Sequence, residues 1–155
     1  MLGTAIPPGE LLLDTNVFIN TLTGRGPAAL RALLEELPRS FVAAPTLAEL
    51  TWLRGRLAPS HPDTARVLAE QAALLTRIEP AKVLVPTEAD WRAAGGLAGQ
   101  VARARAGGGG MAAIAVDRFE LVADALTAIV GARAGCTIIT EDRDFDLLEI
   151  GRAHV

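Results

Sequence analysis

Tyrosine is absent from this chain, aromatic residues make up 4% of it, and lysine occurs once, at Lys82. So few rings argue against a surface built to stack single-stranded nucleic acid. A core must then be assembled from aliphatic side chains. One cysteine, Cys136, excludes an internal disulfide and fits a reducing compartment. Apolar runs long enough to cross a bilayer, about 18 residues, are missing, and the opening MLGTAIPPGE lacks the basic and long apolar regions of a signal peptide. These features lead us to expect a cytoplasmic protein with no membrane association. The net charge of −3 excludes a polycation drawn as a whole to nucleic acid, so any such partner must be gripped locally.

What is present is ample apolar material, 50% of 155 residues. That length suits one domain, which buries roughly 70% of its extended surface. We expect a single domain over residues 1–155, with 1–10 as a loose lead-in.

Short apolar runs alternate with helical patterns along the chain. LLL at 11–13 reads as a strand buried on both faces, followed by a loop at Gly24, Gly26 and Pro27. Leu30, Leu33, Leu34 and Leu37 give a helical stripe ended by Pro38. Phe41 to Ala44 is a second strand, and Thr46 starts a helix through Glu49, Trp52 and Leu53. Asp63 to Thr76 is another helix, with His61 before it as a solvated loop residue. Val83 to Val85 is the third strand. Thr87 and Asp90 have capping spacing at the start of a helix through Val101. The AGGGG stretch at 106–110 reads as a connection, and residues 111–119 fit helix or irregular structure. A helix from about Leu121 ends at Gly135, CTIIT at 136–140 is a fourth strand, and the last residues form an edge strand or tail. The alternation implies a three-layer α/β fold with a central parallel sheet of four to five strands flanked by helices.

In such a sheet the strand ends and helix starts share one edge, where ligands bind. Asp14 and Asp142 follow strands, while Glu49 and Asp124 lie early in helices, so four acids from distant parts of the chain meet there. Each has a purely structural reading as well. Asp14 serves equally as a turn cap, and Thr46 to Glu49 has the spacing of a capping box. Two carboxylates about 4 Å apart repel by roughly 4 kcal/mol at an effective dielectric of about 20. A cluster of three or four must therefore take up protons or a cation. An all-oxygen set favours Mg2+ or Mn2+, and such a site suits in-line displacement at phosphorus by activated water. Asn16 and Thr140 are placed to orient Asp14 and Asp142, or to serve as turn residues.

LLLDTNVFIN at the amino end, APTLAELTW around Glu49, ADALTAIVGARAG around Asp124 and TIITEDRDFD around Asp142 resemble, in order, the PIN-domain nucleases. Within them the likeness is to VapC-type toxins of toxin–antitoxin modules. The resemblance implies a PIN fold and a Mg2+- or Mn2+-dependent endoribonuclease acting on structured RNA such as tRNA or rRNA. It also implies metal ligation by Asp14, Glu49, Asp124 and Asp142, with Asp144 as an additional acid. A homodimer and a cognate VapB-like antitoxin lying across an apolar groove are further expectations. The stretch AGGGGMAAIAVDRFEL before Asp124 departs from the pattern in its length and glycine content. Other phosphoryl-transfer enzymes on doubly wound sheets fit less well. A haloacid-dehalogenase-like phosphatase needs an acid where Asn16 stands, and a receiver-like domain needs an acidic pair and a late lysine. A non-catalytic module on the same fold remains the other alternative, and the intact acidic quartet speaks against it.

Overall fold

The computed structural model describes residues 9–26, 28–35, 39–105, 118–142 and 152–154. At its centre lies β1 (Leu11–Leu13), between β2 (Phe41–Ala43) and β4 (Thr137–Thr140). β3 (Val83–Leu84) extends the sheet beyond β2, and β5 (Arg152–His154) extends it beyond β4. The order β3-β2-β1-β4-β5 is parallel throughout. β5 takes the place expected for an edge strand in the last residues.

Alternate residues of the central strands face opposite layers, as the strand period of two requires. Leu11, Leu13, Val42 and Ile139 pack with Val17, Phe18, Leu34 and Leu50. These come from α1 (Thr15–Leu22), α2 (Ala28–Glu35) and α3 (Ala44–Arg56), while α4 (Thr64–Arg77) adds Leu74 and Leu75. Leu12, Ala43 and Ile138 face the other way, onto α5 (Glu88–Arg105) and α6 (Arg118–Arg133). The second layer is built from small residues, Ala94, Ala98, Ala125 and Ala128, which let its helices come close. The three-layer α/β architecture with a parallel sheet is therefore the one the alternation of strands and helices implies.

Three local features differ from the sequence reading or sharpen it. First, Thr15–Leu22 forms α1, where only a loop was expected after the strand. Its β-branched Val17 and Ile19 mask the helical spacing of the buried Thr15, Val17, Phe18 and Leu22. Second, Thr46 does not begin α3. The helix starts at Ala44, its cap Ala43 offers no side chain, and Pro45 occupies the first turn, where a missing N–H costs nothing. The Thr46–Glu49 capping box is thus absent, and both side chains are used elsewhere.

Third, the Thr87–Asp90 box does form. The Thr87 N–H donates to Asp90 at 2.7 Å, and the Asp90 N–H donates to the Thr87 hydroxyl at 3.2 Å. These bonds hold the Asp90 carboxyl below the usual range, helped by Arg133, which also donates to the Val85 carbonyl at 3.1 Å. The start of α5 is thereby tied to the end of α6.

α6 ends in a Schellman motif. Gly135 has φ +69, its N–H donates to Ala132 O at 3.1 Å, and the Cys136 N–H donates to Gly131 O at 2.9 Å. Inside the helix, a Cβ on Gly131 would stand 2.8 Å from Leu12 Cδ2 and 3.1 Å from Ile138. α6 can lie this close to the sheet only because the side chain is missing, and the same approach sets the depth of Asp124 on that helix. Gly131→Val is expected to destabilise the chain by about 1–3 kcal/mol through overpacking. The melting temperature should fall by several degrees, and an unchanged value would show that α6 has room to retreat.

Candidate functional site

β1 carries the chain to Asp14, whose N–H donates to Ile139 O at 3.0 Å, so the ladder with β4 fixes this residue's position. The carboxyl is 4% exposed. Its Oδ1 accepts the Thr15 N–H at 2.8 Å, capping α1, and its Oδ2 accepts the Thr140 hydroxyl at 2.8 Å. The turn-cap reading of Asp14 is thus correct, yet one oxygen serves it and the other turns toward β4. Burial pushes the carboxyl up to about 6 against the pull of these two bonds, and Asp142 adds to the rise.

The chain leaves β4 at Thr140, and its hydroxyl accepts the Asp142 N–H at 2.9 Å. One side chain therefore joins Asp14 to the backbone of Asp142. Asn16 braces the same turn, with Nδ2 3.4 Å from the Thr140 hydroxyl and Oδ1 accepting the Glu141 N–H at 3.3 Å. Asn20, one turn further along α1, donates to the Glu141 carboxylate. The carboxyl of Asp142 is raised by burial, with Arg105 pulling the opposite way.

Glu49 approaches from α3. The Thr15 hydroxyl donates to its Oε2 and lies 3.2 Å from the Thr46 hydroxyl. The residue directly after Asp14 is thus bonded to the acid of α3. Asp124 approaches from α6 and is 7% exposed, with its Oδ2 buried and lacking a hydrogen-bond partner among the described residues. Its carboxyl is pushed up to about 8, first by burial and then by the charges of Asp14, Asp142, Glu49 and Glu120. The four acids therefore share one electrostatic field at the carboxyl edge of the sheet. Asp144 lies outside the described residues.

Among the described residues no three acid, histidine or cysteine side chains close into a finished metal cage. Thr15 and Thr140 stand among the acids instead. The chemistry nonetheless fits a hard cation. The donors are all oxygen, and a carboxylate oxygen buried without a partner is costly unless a proton or a positive charge meets it.

Several residues of this edge were not singled out from the sequence. Thr15 is hidden in the run DTN, where only Asn16 looked useful. Glu120 carries a legible signal, since it lies four residues before Asp124 and so on the same helix face. Beside the acids opens a cleft of about 460 Å3 lined by Thr15, Ile19, Glu49, Trp52, Phe119 and Glu120.

The raised carboxyls set a sign for stability. A carboxyl ionises near 3.9 in an unfolded chain, so folding favours the protonated forms of Asp14 and Asp124. That contribution is complete below pH ~4 and is lost as pH rises through about 6 and about 8. In chelator, the melting temperature should fall by several degrees between pH 5 and pH 8.5, and Asp124→Asn should flatten the fall. A wild-type melting temperature that rises over this range would contradict the burial of these groups.

Similarity to known proteins agrees with the architecture. No curated protein matches the sequence significantly. Solved structures do. A VapBC2 complex from Rickettsia felis bound to a promoter DNA fragment aligns at a TM-score of 0.63 with 16% identity, over 95% of this chain and 99% of its own. FitAcB from Neisseria gonorrhoeae aligns at 0.61 with 22% identity, over 92% and 95%. VapBC-5 from Mycobacterium tuberculosis, of the VapBC family of toxin–antitoxin systems, aligns at 0.55 with 23% identity, over 96% and 97%. At these identities the likeness is one of fold. The PIN domain family pattern, however, matches residues 11–150, from the first residue of β1 to beyond Asp142, and the chain belongs to the PIN-domain family.

Proposed function

We propose that the protein is a divalent-metal-dependent endoribonuclease, the toxin component of a VapBC-type toxin–antitoxin pair. The observation that carries this reading is Asp124, a buried carboxyl with an unanswered oxygen in the field of Asp14, Glu49 and Asp142. Such a group is stable as a neutral acid or beside a cation, and a nuclease supplies the cation.

Asp14, Glu49, Asp124 and Asp142 would hold the ion, Mg2+ or Mn2+, with Asp144 as a further acid. When bound, a divalent ion activates water for attack at phosphorus and offsets the charge of the leaving oxygen. The chain's own residues do the rest. Thr140 holds one oxygen of Asp14 in a fixed direction and fastens the turn that carries Asp142. Asn16 keeps that turn against α1. Thr15 holds Glu49 toward Asp14. Burial of Asp14 and Asp124 excludes water from the inner side of the cluster, which strengthens every charge interaction made there.

Support for the partners comes from the structural neighbours, which are complexes of VapBC and FitAB type. A cognate VapB-like antitoxin, a homodimer and a structured RNA such as tRNA or rRNA are the partners we propose. In Mn2+ or Mg2+ the purified protein should cut total cellular RNA at discrete internal positions. Chelator should abolish cleavage, and Asp14→Asn and Asp124→Asn should each lower it by about 100-fold or more, as expected when a group acting on the transition state is lost. Equal cleavage by wild type and both variants would overturn the assignment. New RNA 5′ ends mapped after controlled expression would identify the target in the same experiment.

A further inference from the structure

The aromatic residues of this chain are few, and three of them are not spent on the core. Trp52 and Phe119 are each 59% exposed, and Trp91 is also exposed. A large apolar side chain left in solvent forgoes about 1.5–3 kcal/mol of burial, and two of these three stand on opposite helices around one cleft. Trp52 lies three residues after Glu49 on α3, so both project from the same face of that helix. Phe119 and Glu120 open α6, one turn before Asp124. Thr15 and Ile19, a turn apart on α1, form the floor. Each of the three helices thus reaches the acid cluster with one residue and the cleft with another.

We propose that Trp52 and Phe119 form a stacking subsite that receives an unpaired nucleobase of the RNA, next to the phosphate presented to the acids. The inference rests on the endoribonuclease reading above and names the state of its substrate: the strand must be unstacked at the cut. The chemistry of the lining favours a base over other occupants. Glu120, outside the proposed ligand set, disfavours a phosphate entering the cleft, whereas its oxygens accept hydrogen bonds from the amino and imino edges of a base. The rings supply flat apolar faces, which bind every base and require it to leave its own stack. The Arg56 guanidinium lies 4.9 Å from the Trp52 ring centroid, placing a positive charge at the rim where the next phosphate of the strand would pass. A pair of rings beside a cut site selects loops and single strands within structured RNA and rejects continuous duplex.

The test uses the full chain and two fluorescein-labelled RNAs of equal length, one unstructured and one a closed duplex, with anisotropy read in Ca2+ and cleavage read in Mn2+. Trp52→Ala and Phe119→Ala should each weaken binding of the unstructured RNA by about tenfold, the loss of one stacked base. Trp52→Phe should restore most of it. Mn2+ should raise the melting temperature of Trp52→Ala as much as that of wild type, since the acids are untouched. Wild type should prefer the unstructured RNA, and its tryptophan fluorescence should be quenched on binding. If Trp52→Ala binds and cuts the unstructured RNA like a wild type that is itself active, the subsite is refuted and the nuclease stands. Quenching of Trp52 by an amphipathic apolar peptide in that circumstance would assign the cleft to a protein segment. If wild type neither binds nor cuts either RNA while Mn2+ still stabilises it, the ribonuclease reading fails, and the subsite with it.

Discussion

Two carboxylates in this molecule, those of Asp14 and Asp124, are held largely away from water, and the rest of the site is arranged around that constraint. Asp14 and Asp124 are buried, and Asp124 keeps an oxygen with no hydrogen-bond partner among the described residues. The parallel sheet brings them there. β1 and β4 are neighbours, so the residues that follow them are neighbours too, and Thr140 spans the gap to bind one acid and support the loop of the other. The helices α3 and α6 then deliver Glu49 and Asp124 from opposite layers. Only Asp14, which caps α1 through one oxygen, has a local reason to be where it is. The four are brought together by pairing and packing contacts made elsewhere, down to the missing side chain of Gly131, which lets α6 settle against Leu12 and Ile138.

Much of this was legible in the sequence, because the strands are short apolar runs and the acids stand at their ends. LLLD and TIITED each join a buried strand to a carboxylate, and the parallel arrangement follows from the alternation with helices. The Thr87–Asp90 cap and the Gly135 stop were legible for the same reason: their chemistry is local and needs no knowledge of the partner strand. The misreadings were also local in origin. Thr46 and Glu49 have the spacing of a capping box, but Pro45 and Ala44 had already begun the helix, and Thr15 competes for both side chains. α1 was overlooked because β-branched residues occupy its buried face. Thr15 could not be recognised as the holder of Glu49, since that contact joins residues 34 apart.

Scarcity of aromatic residues is compatible with the single subsite proposed at Trp52 and Phe119. Low aromatic content speaks against an extended platform for bases, and none is seen among the described residues. Two rings suffice for one base, however, and Trp52 and Phe119 are both exposed and line the cleft beside Glu49. A helix that carries an acid at one position offers its neighbour one turn away to the same region. The aromatic pair and the acid cluster are therefore one arrangement, in which the same three helices present charge at the sheet edge and apolar surface just outside it.

The central claim is that the four acids act as one cation site. It is tested most directly by Mn2+ binding followed calorimetrically and by electron paramagnetic resonance, on wild type and on Asp14→Asn, Glu49→Gln, Asp124→Asn and Asp142→Asn separately. A shared site predicts bound Mn2+ in wild type with a spectrum distinct from the aqueous ion, and a loss of affinity of about tenfold or more in each of the four variants. Undiminished binding in Asp124→Asn would contradict the account, for then the oxygen buried without a partner does not face the ion.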